Sequence, residues 1–297
     1  MGYISEAELA ESIPADSIPA ESLRDGIRHK CSITLLPPTF DTGTKPMDLK
    51  KLRRHWDQFA RKDPMWAILT APGTEGGKWD REAFLRSGDE HIAELVRYLD
   101  RVGLGLPARR ERALDFGCGI GRLTLPLATH FRHVDGIDIS ELMLRQAAEL
   151  NGIPDRVTYH HNETDDLSGF PDGSFDFVYT YITLQHVEPR YGKRYIQEFV
   201  RILHPEGLAV FHVPTAVRNR RERLRQAIPE VFAIVGLLRR GIPAVMEAHA
   251  IPENEVVEVV DRAGGRVEHV QRGLGNSTLP SAQYFVRKST GSRSSCG

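Results

Sequence analysis

Short apolar runs alternate with helical segments through the middle of this chain, and that alternation limits the available folds more than any single residue does. The runs are 112–116 (RALDF), 133–139 (HVDGIDI), 156–161 (RVTYHH), 175–182 (FDFVYTYI) and 207–213 (GLAVFHV). Between them, 121–131 (GRLTLPLATHF), 140–152 (SELMLRQAAELNG), a short piece near LQHV and 190–203 (RYGKRYIQEFVRIL) read as helices. Strands that alternate with helices pair in parallel, in a sheet covered on both faces. Upstream, 55–69 (HWDQFARKDPMWAIL) predicts a helix stopping before Pro64, then an aromatic turn. The stretch 81–102 sets Phe84, Leu85, Ile92, Leu95, Val96 and Leu99 on one side of a helix. Downstream, 252–265 (PENEVVEVVDRAGG) predicts a helix ending at glycines, and 266–273 with 281–288 two strands of a hairpin-like edge.

The 297 residues are 40% apolar and 27% charged, an ordinary globular balance with material for a large core. A formal net charge of −1 supplies no global basic field for nucleic acid or a membrane. Cys31, Cys118 and Cys296 stand too far apart for a disulfide framework or a spaced metal cluster, which suggests a reducing compartment. No apolar run reaches 18 residues, which counts against a membrane span. The start, MGYISEAELAES, lacks a basic, apolar signal pattern, so a cytoplasmic location is expected. Residues 1–45, with a doubled SIPA unit and clustered prolines, read as a flexible arm, and 289–297 as a tail. The domain then occupies 46–288, and 215–250 forms a helical insertion.

Directly after the first strand comes LDFGCGIGR, with Gly117, Gly119 and Gly121 on alternate positions. Glycine serves a backbone that turns sharply or approaches a ligand closely, and the first strand-to-helix turn of such a sheet is where nucleotide-like groups bind. The spacing is G-x-G-x-G with Arg122 following, not the G-x-G-x-x-G of dinucleotide sites. Asp115, just before the glycines, opposes a pyrophosphate and favours a cationic ligand. Asp138 ends the second strand, where a carboxylate accepts ribose hydroxyls. Glu163, read as ending the third, is placed to accept from an adenine amino group, with Thr164 adding backbone contacts. A cationic part, a ribose and an adenine together describe S-adenosylmethionine.

LDFGCGIGRLT, GIDIS, HNETDDLSGFPDGSFDFVYTYITLQHV and RILHPEGLAVFHVP, taken in order, resemble the motif series of class I S-adenosylmethionine-dependent methyltransferases of the small-molecule type. The resemblance is strong over 112–213 and extends as general topology to 288. One departure is Glu206, in a turn where the family commonly has glycine. What the resemblance implies is an α/β, Rossmann-like, doubly wound sheet of seven mostly parallel strands with an antiparallel last strand, plus N-terminal helices and an inserted helical lid. It also implies a cofactor site made of Asp115, Gly117, Cys118, Gly119, Gly121, Asp138, Ile139, Met143, Glu163, Thr164 and Tyr181, with Cys118 a small filler residue in the turn.

For the chemistry, the protein aligns an acceptor with an already electrophilic methyl group and removes the acceptor's proton. His186, shortly after the fourth strand, is the first base candidate, and His249 in MEAHAIP the second. The D/N-P-P-Y pattern of nucleobase and amide nitrogen methylation is absent. His160, His161, Asp165 and Asp166 share no recognised ligand spacing, so no metal is expected. The expected function is methyl transfer to a small-molecule acceptor at oxygen, with nitrogen or carbon as alternatives and an idle cofactor-binding protein as a rival of another class. Neutral charge and the missing added domain count against nucleic acid. Segment 215–250, with its basic RNRRERLRQ and apolar VFAIVGLL, reads as a lid over a hydrophobic or acidic acceptor, a homodimer contact, or an interfacial helix. Trp56, Trp66, Trp79 and Phe84 either close the site or staple the first helices to the sheet.

Overall fold

A computed structural model describes residues 48–289 apart from Asn219, Ile242 and Asn276. The segments expected as an arm and, past Ser289, as a tail lie outside the described residues.

Seven strands form one sheet: β1 (Arg112–Phe116), β2 (His133–Asp138), β3 (Val157–His161), β4 (Phe175–Thr180), β5 (Leu203–Pro214), β6 (Gly265–Gly275) and β7 (Pro280–Lys288). Their order is β3-β2-β1-β4-β5-β7-β6. The β1–β2, β1–β4, β2–β3 and β4–β5 pairs are parallel, and β7 runs antiparallel to both β5 and β6. The chain therefore winds outward from β1 to β3 and returns to β4 on the other side of β1. That reversal opens a crevice at the carboxyl ends of β1 and β4, where ligands of such sheets bind.

Helix α1 (Leu49–Lys62) starts at Asp48, whose carboxylate accepts from Lys51 N. The expected aromatic turn after it is instead a second helix, α2 (Pro64–Ile68). Proline suits a first helical position because its missing N–H is one that a helix start leaves unpaired anyway. Asp63 caps that start through Trp66 N, and its other oxygen accepts from Gly76 N and Gly77 N at 2.7 and 2.8 Å. One buried carboxylate thus fixes the join between helices and the loop that follows.

α3 (Arg81–Arg101) and α4 (Thr124–Leu127) cover one face of the sheet, where Ile92, Leu95 and Leu99 meet Phe177, Tyr179, Val210 and Phe285. α4 is shorter than its sequence suggested, because Pro126 sits inside it. On the other face, Phe199 and Ile196 of α6 (Pro189–Ile202) and Val256 and Val260 of α9 (Glu253–Arg262) pack on Leu114, Val178, Ala209 and Phe211. Each such fully buried side chain contributes about 1.5–3 kcal/mol. α5 (Glu141–Leu150) follows β2 and packs its Met143 with Phe59, Phe84 and Ala67. The insertion after β5 consists of α7 (Arg220–Ala227), α8 (Pro229–Arg240) and an extended strap over 243–251.

Candidate active site

The turn after β1 explains its glycines directly. Gly117 N and Cys118 N both donate to the Ile137 carbonyl of β2, at 2.8 and 3.1 Å, so the chain folds sharply over the neighbouring strand. Gly117, Gly119 and Gly121 all take left-handed backbone angles, φ +74°, +55° and +85°, which side-chain-bearing residues adopt at a cost. Space is short as well. A Cβ on Gly117 would run into the Thr183 side chain, and one on Gly119 would lie 2.6 Å from Ile68 Cδ1.

Above this turn lies a cleft, part of it open to solvent and lined by a few polar groups among apolar side chains, the usual make-up of a small-molecule site. Its floor comes from the carboxyl ends of the strands: Phe116, Gly117 and Gly119 after β1, Ile137, Asp138 and Ile139 at β2, Asn162 after β3, and Tyr181, Ile182 and Thr183 after β4. Leu49, Leu52 and Trp56 of α1, with Ala67 and Ile68 of α2, form its roof. Trp56 therefore closes the site. Trp79 and Phe84 pack against each other instead, and Trp79 Nε1 donates to the Leu69 carbonyl; Trp66 belongs to that same cluster.

Asp138 is the carboxylate of this cleft. One oxygen accepts from Gly119 N at 2.9 Å and the other from Ser140 N at 2.8 Å. The Ile139 N–H also favours the carboxylate, and a carboxylate with about four acceptor sites keeps room for a further donor. Burial raises its pKa even though those N–H groups favour the anion. Ile182 carries the only left-handed φ of a non-glycine among the described residues, 60°. A β-branched residue is strained there, and it sits between Tyr181 and Thr183 on the cleft wall.

His186 also lines the cleft, its ring edge-on to Trp56 at 5.3 Å between centroids. Its Nδ1 lies 2.7 Å from the Glu247 carbonyl, which can only accept, so Nδ1 carries the proton. Nε2 then offers a lone pair and accepts from Gln185 Nε2 at 3.1 Å. The strap that supplies Glu247 is held by His249 N donating to Gln185 O and by His55 Nδ1 donating to Val245 O.

Of the residues expected at the site, Gly117, Gly119, Asp138, Ile139, Tyr181 and His186 line the cleft, and the others are set back from it. Asp115 is buried beneath the turn, where it accepts from Thr124 Oγ1 at 2.7 Å, and burial pushes its pKa up to about 7. Cys118 points into the core, with its thiol pKa raised by burial, and Gly121 abuts Tyr159. Met143 packs under α1 and α2. Glu163 and Thr164 lie exposed past the end of β3: Glu163 pairs with Arg53 and lies 3.4 Å from His161, and Thr164 Oγ1 donates to Asn162 Oδ1. The strand stops at His161, so Asn162 takes the cleft-facing place. His249 sits behind the wall with Nε2 3.4 Å from Glu247 Oε2. Among the described residues, no group of three or more His, Cys, Asp or Glu side chains is arranged to hold a metal ion.

The sequence model of a family described as a methyltransferase domain matches residues 114–211, from β1 to β5. A 27-O-demethylrifamycin SV methyltransferase of Amycolatopsis mediterranei is 30% identical over 206 residues, 65% of this chain and 71% of the relative. The chain belongs to the class I S-adenosylmethionine-dependent methyltransferases. A ubiquinone biosynthesis O-methyltransferase of Aromatoleum aromaticum is 34% identical to this methyltransferase over 164 residues, 55% of this chain and 67% of that one. Magnesium protoporphyrin IX methyltransferase from Synechocystis, solved with S-adenosylhomocysteine, shares the fold at TM-score 0.54 and 18% identity, covering 82% of this chain and all of that one. S-adenosylmethionine is the cofactor of the methyltransferase, and the cleft fits it: a glycine turn with no room for side chains, a carboxylate with room for a further donor, and apolar walls.

Proposed function

We propose that the methyltransferase transfers a methyl group to an oxygen of an apolar small-molecule acceptor, with His186 as the base. Bound S-adenosylmethionine supplies an electrophilic methyl group. The protein's share is to bind, align and deprotonate. The Gly117–Gly119 turn gives close backbone approach to the methionyl part, Asp138 accepts from the ribose hydroxyls, and Asn162 lines the adenine end. Leu49, Leu52, Trp56 and Ile68 keep water out and suit an acceptor with apolar surface. Two relatives, 27-O-demethylrifamycin SV methyltransferase and ubiquinone biosynthesis O-methyltransferase, support oxygen as the methylated atom and a small organic acceptor.

The tautomer of His186 carries this reading. With Nδ1–H held by the Glu247 carbonyl, the neutral ring presents Nε2 as an acceptor on the cleft wall. Gln185 occupies that lone pair in the resting arrangement and yields it to an acceptor hydroxyl. Such a base contributes about 100- to 10,000-fold in rate.

Two substitutions separate binding from chemistry. Asp138→Ala loses hydrogen bonds to a charged group, about 1.5–3 kcal/mol, and calorimetry with S-adenosylhomocysteine is expected to show a matching loss of affinity. His186→Ala is expected to keep that affinity and lose about 100-fold or more in turnover, followed by mass spectrometry as the gain of one CH2 on hydroxylated apolar acceptors. Turnover within about tenfold of the parent would leave alignment, not base catalysis, carrying the reaction.

A further inference from the structure

Among the described residues, the exposed large apolar side chains all fall in one segment: Leu224 in α7, Ile228 at the join, and Val231, Ile234, Leu237 and Leu238 in α8. Leu238 is 80% exposed and Ile234 58%. Within α8, positions 231, 234 and 238 follow the three- and four-residue steps of a single helix face. A folded chain that buries Phe84, Leu99 and Phe199 completely leaves this face uncovered, and uncovered apolar faces mark interaction sites.

Charge identifies what covers it. From Arg218 to Arg240 the sequence holds seven arginines against two glutamates, a surplus of five positive charges. The whole chain carries −1, so the remaining residues carry −6. Arg218, Arg220 and Arg223 are exposed. A second copy of the chain fits poorly, because a two-fold contact sets the same patch against itself and would bring two such basic segments together. An anionic surface attracts this segment and repels the rest of the molecule. α8 spans 12 residues, far short of the ~20 needed to cross a bilayer, and no described helix is long and apolar enough to do so. An apolar face with basic flanks in a short helix is the pattern of a helix lying in the membrane interface.

We propose that α7 and α8 dock the methyltransferase on a bilayer bearing anionic phospholipids. The exposed face of α8 enters the headgroup–acyl boundary, and the exposed Arg218, Arg220 and Arg223 meet the lipid phosphates. The docking element is coupled to the site: the Gln226 side chain donates to the Ala248 carbonyl, and the neighbouring Glu247 carbonyl holds His186. A docked molecule therefore holds its cleft beside the bilayer, where an apolar acceptor dissolves. The docking stands apart from the identity of the catalytic base.

The test is sedimentation of the full chain with vesicles of phosphatidylcholine alone or mixed with phosphatidylglycerol. Partition into the mixed vesicles is expected to exceed that into neutral ones by about tenfold or more at low salt, and to collapse near ~0.5 M salt, where the Debye length shrinks to a few ångströms. Ile234→Glu with Leu238→Glu is expected to cut binding about tenfold while leaving S-adenosylhomocysteine affinity and the melting transition unchanged. If that pair does not fold, Arg220→Glu with Arg223→Glu carries the same expectation. Equal pelleting with both lipids, or none with either, overturns the proposal. So does a double variant that still pellets fully but changes the oligomeric mass, since the face would then belong to a second copy.

Discussion

Gly88 runs against its own helix. Alanine in mid-helix is favoured over glycine by about 1 kcal/mol, yet a Cβ at position 88 of α3 would collide with the Arg122 carbonyl at the end of the glycine turn. The collision is with backbone, which cannot swing aside, and overpacking of this kind costs about 1–3 kcal/mol. Gly88→Ala is therefore expected to lower the melting temperature and weaken cofactor binding together, read by calorimetry on one sample. An equal or higher melting point would show that α3 does not bear on the turn. The glycines at 117, 119 and 121 were legible in the sequence because their demand is local: each needs a left-handed φ. Asp115 and Cys118 belong to the same motif, but which way a side chain points there depends on the sheet and the helices above it. Glu163 differs for a related reason: β3 stops at His161, and Asn162, the next residue, is the one that lines the cleft.

At the scale of elements, strands and long helices were readable from periodicity, and the roof of the site was not. α1 resembles any amphipathic helix, and its position depends on contacts made far along the chain. Ser140 Oγ, which caps α5, donates to Asp57 at 2.7 Å, and Gln146 Nε2 donates to the Ala60 carbonyl at 2.9 Å. The second contact follows from Pro64. In a continuing helix, residue 64 would donate to the carbonyl of residue 60, and proline has no N–H to give. Gln146→Ala removes the replacement donor and leaves a polar group short of a partner, about 1–3 kcal/mol. The loss is expected to be local: hydrogen exchange in α1 should speed up while α6 stays protected, and the cofactor should dissociate faster. Uniform acceleration across both helices would mean that α1 is part of the global unfolding unit. The apolar stripe of α8 was visible as composition, but its exposure was not.

For the whole molecule, the buried histidines set the response to acid. Burial holds His91, which contacts Tyr179 Oη at 2.6 Å, down to about 3, and His212 down to about 4. Both ordinarily titrate near 6.5. Their folded pKa values lie below the unfolded one, so the unfolded chain binds more protons as pH falls below 6.5, and stability is lost in that window. Asp115 acts with the opposite sign: raised to about 7, it gives up stability as pH climbs from its ordinary 3.8. A difference measurement cancels that contribution. In urea unfolding from pH 4.5 to 6, His212→Asn is expected to show a slope of stability against pH smaller by about 1 kcal/mol per unit, whatever its absolute stability. Parallel slopes would show that His212 takes up its proton in the folded state as readily as in the unfolded one. The antiparallel course of β7 has a practical side. It carries the chain away from the cleft to the edge where the parallel strands begin, and there Lys288 Nζ donates to the carbonyls of Arg201 and Leu203. A handle attached beyond Ser289 would anchor the enzyme to a sensor chip by its far side, leaving the mouth of the cleft facing the flow, whereas one attached ahead of Asp48 would pull on the roof.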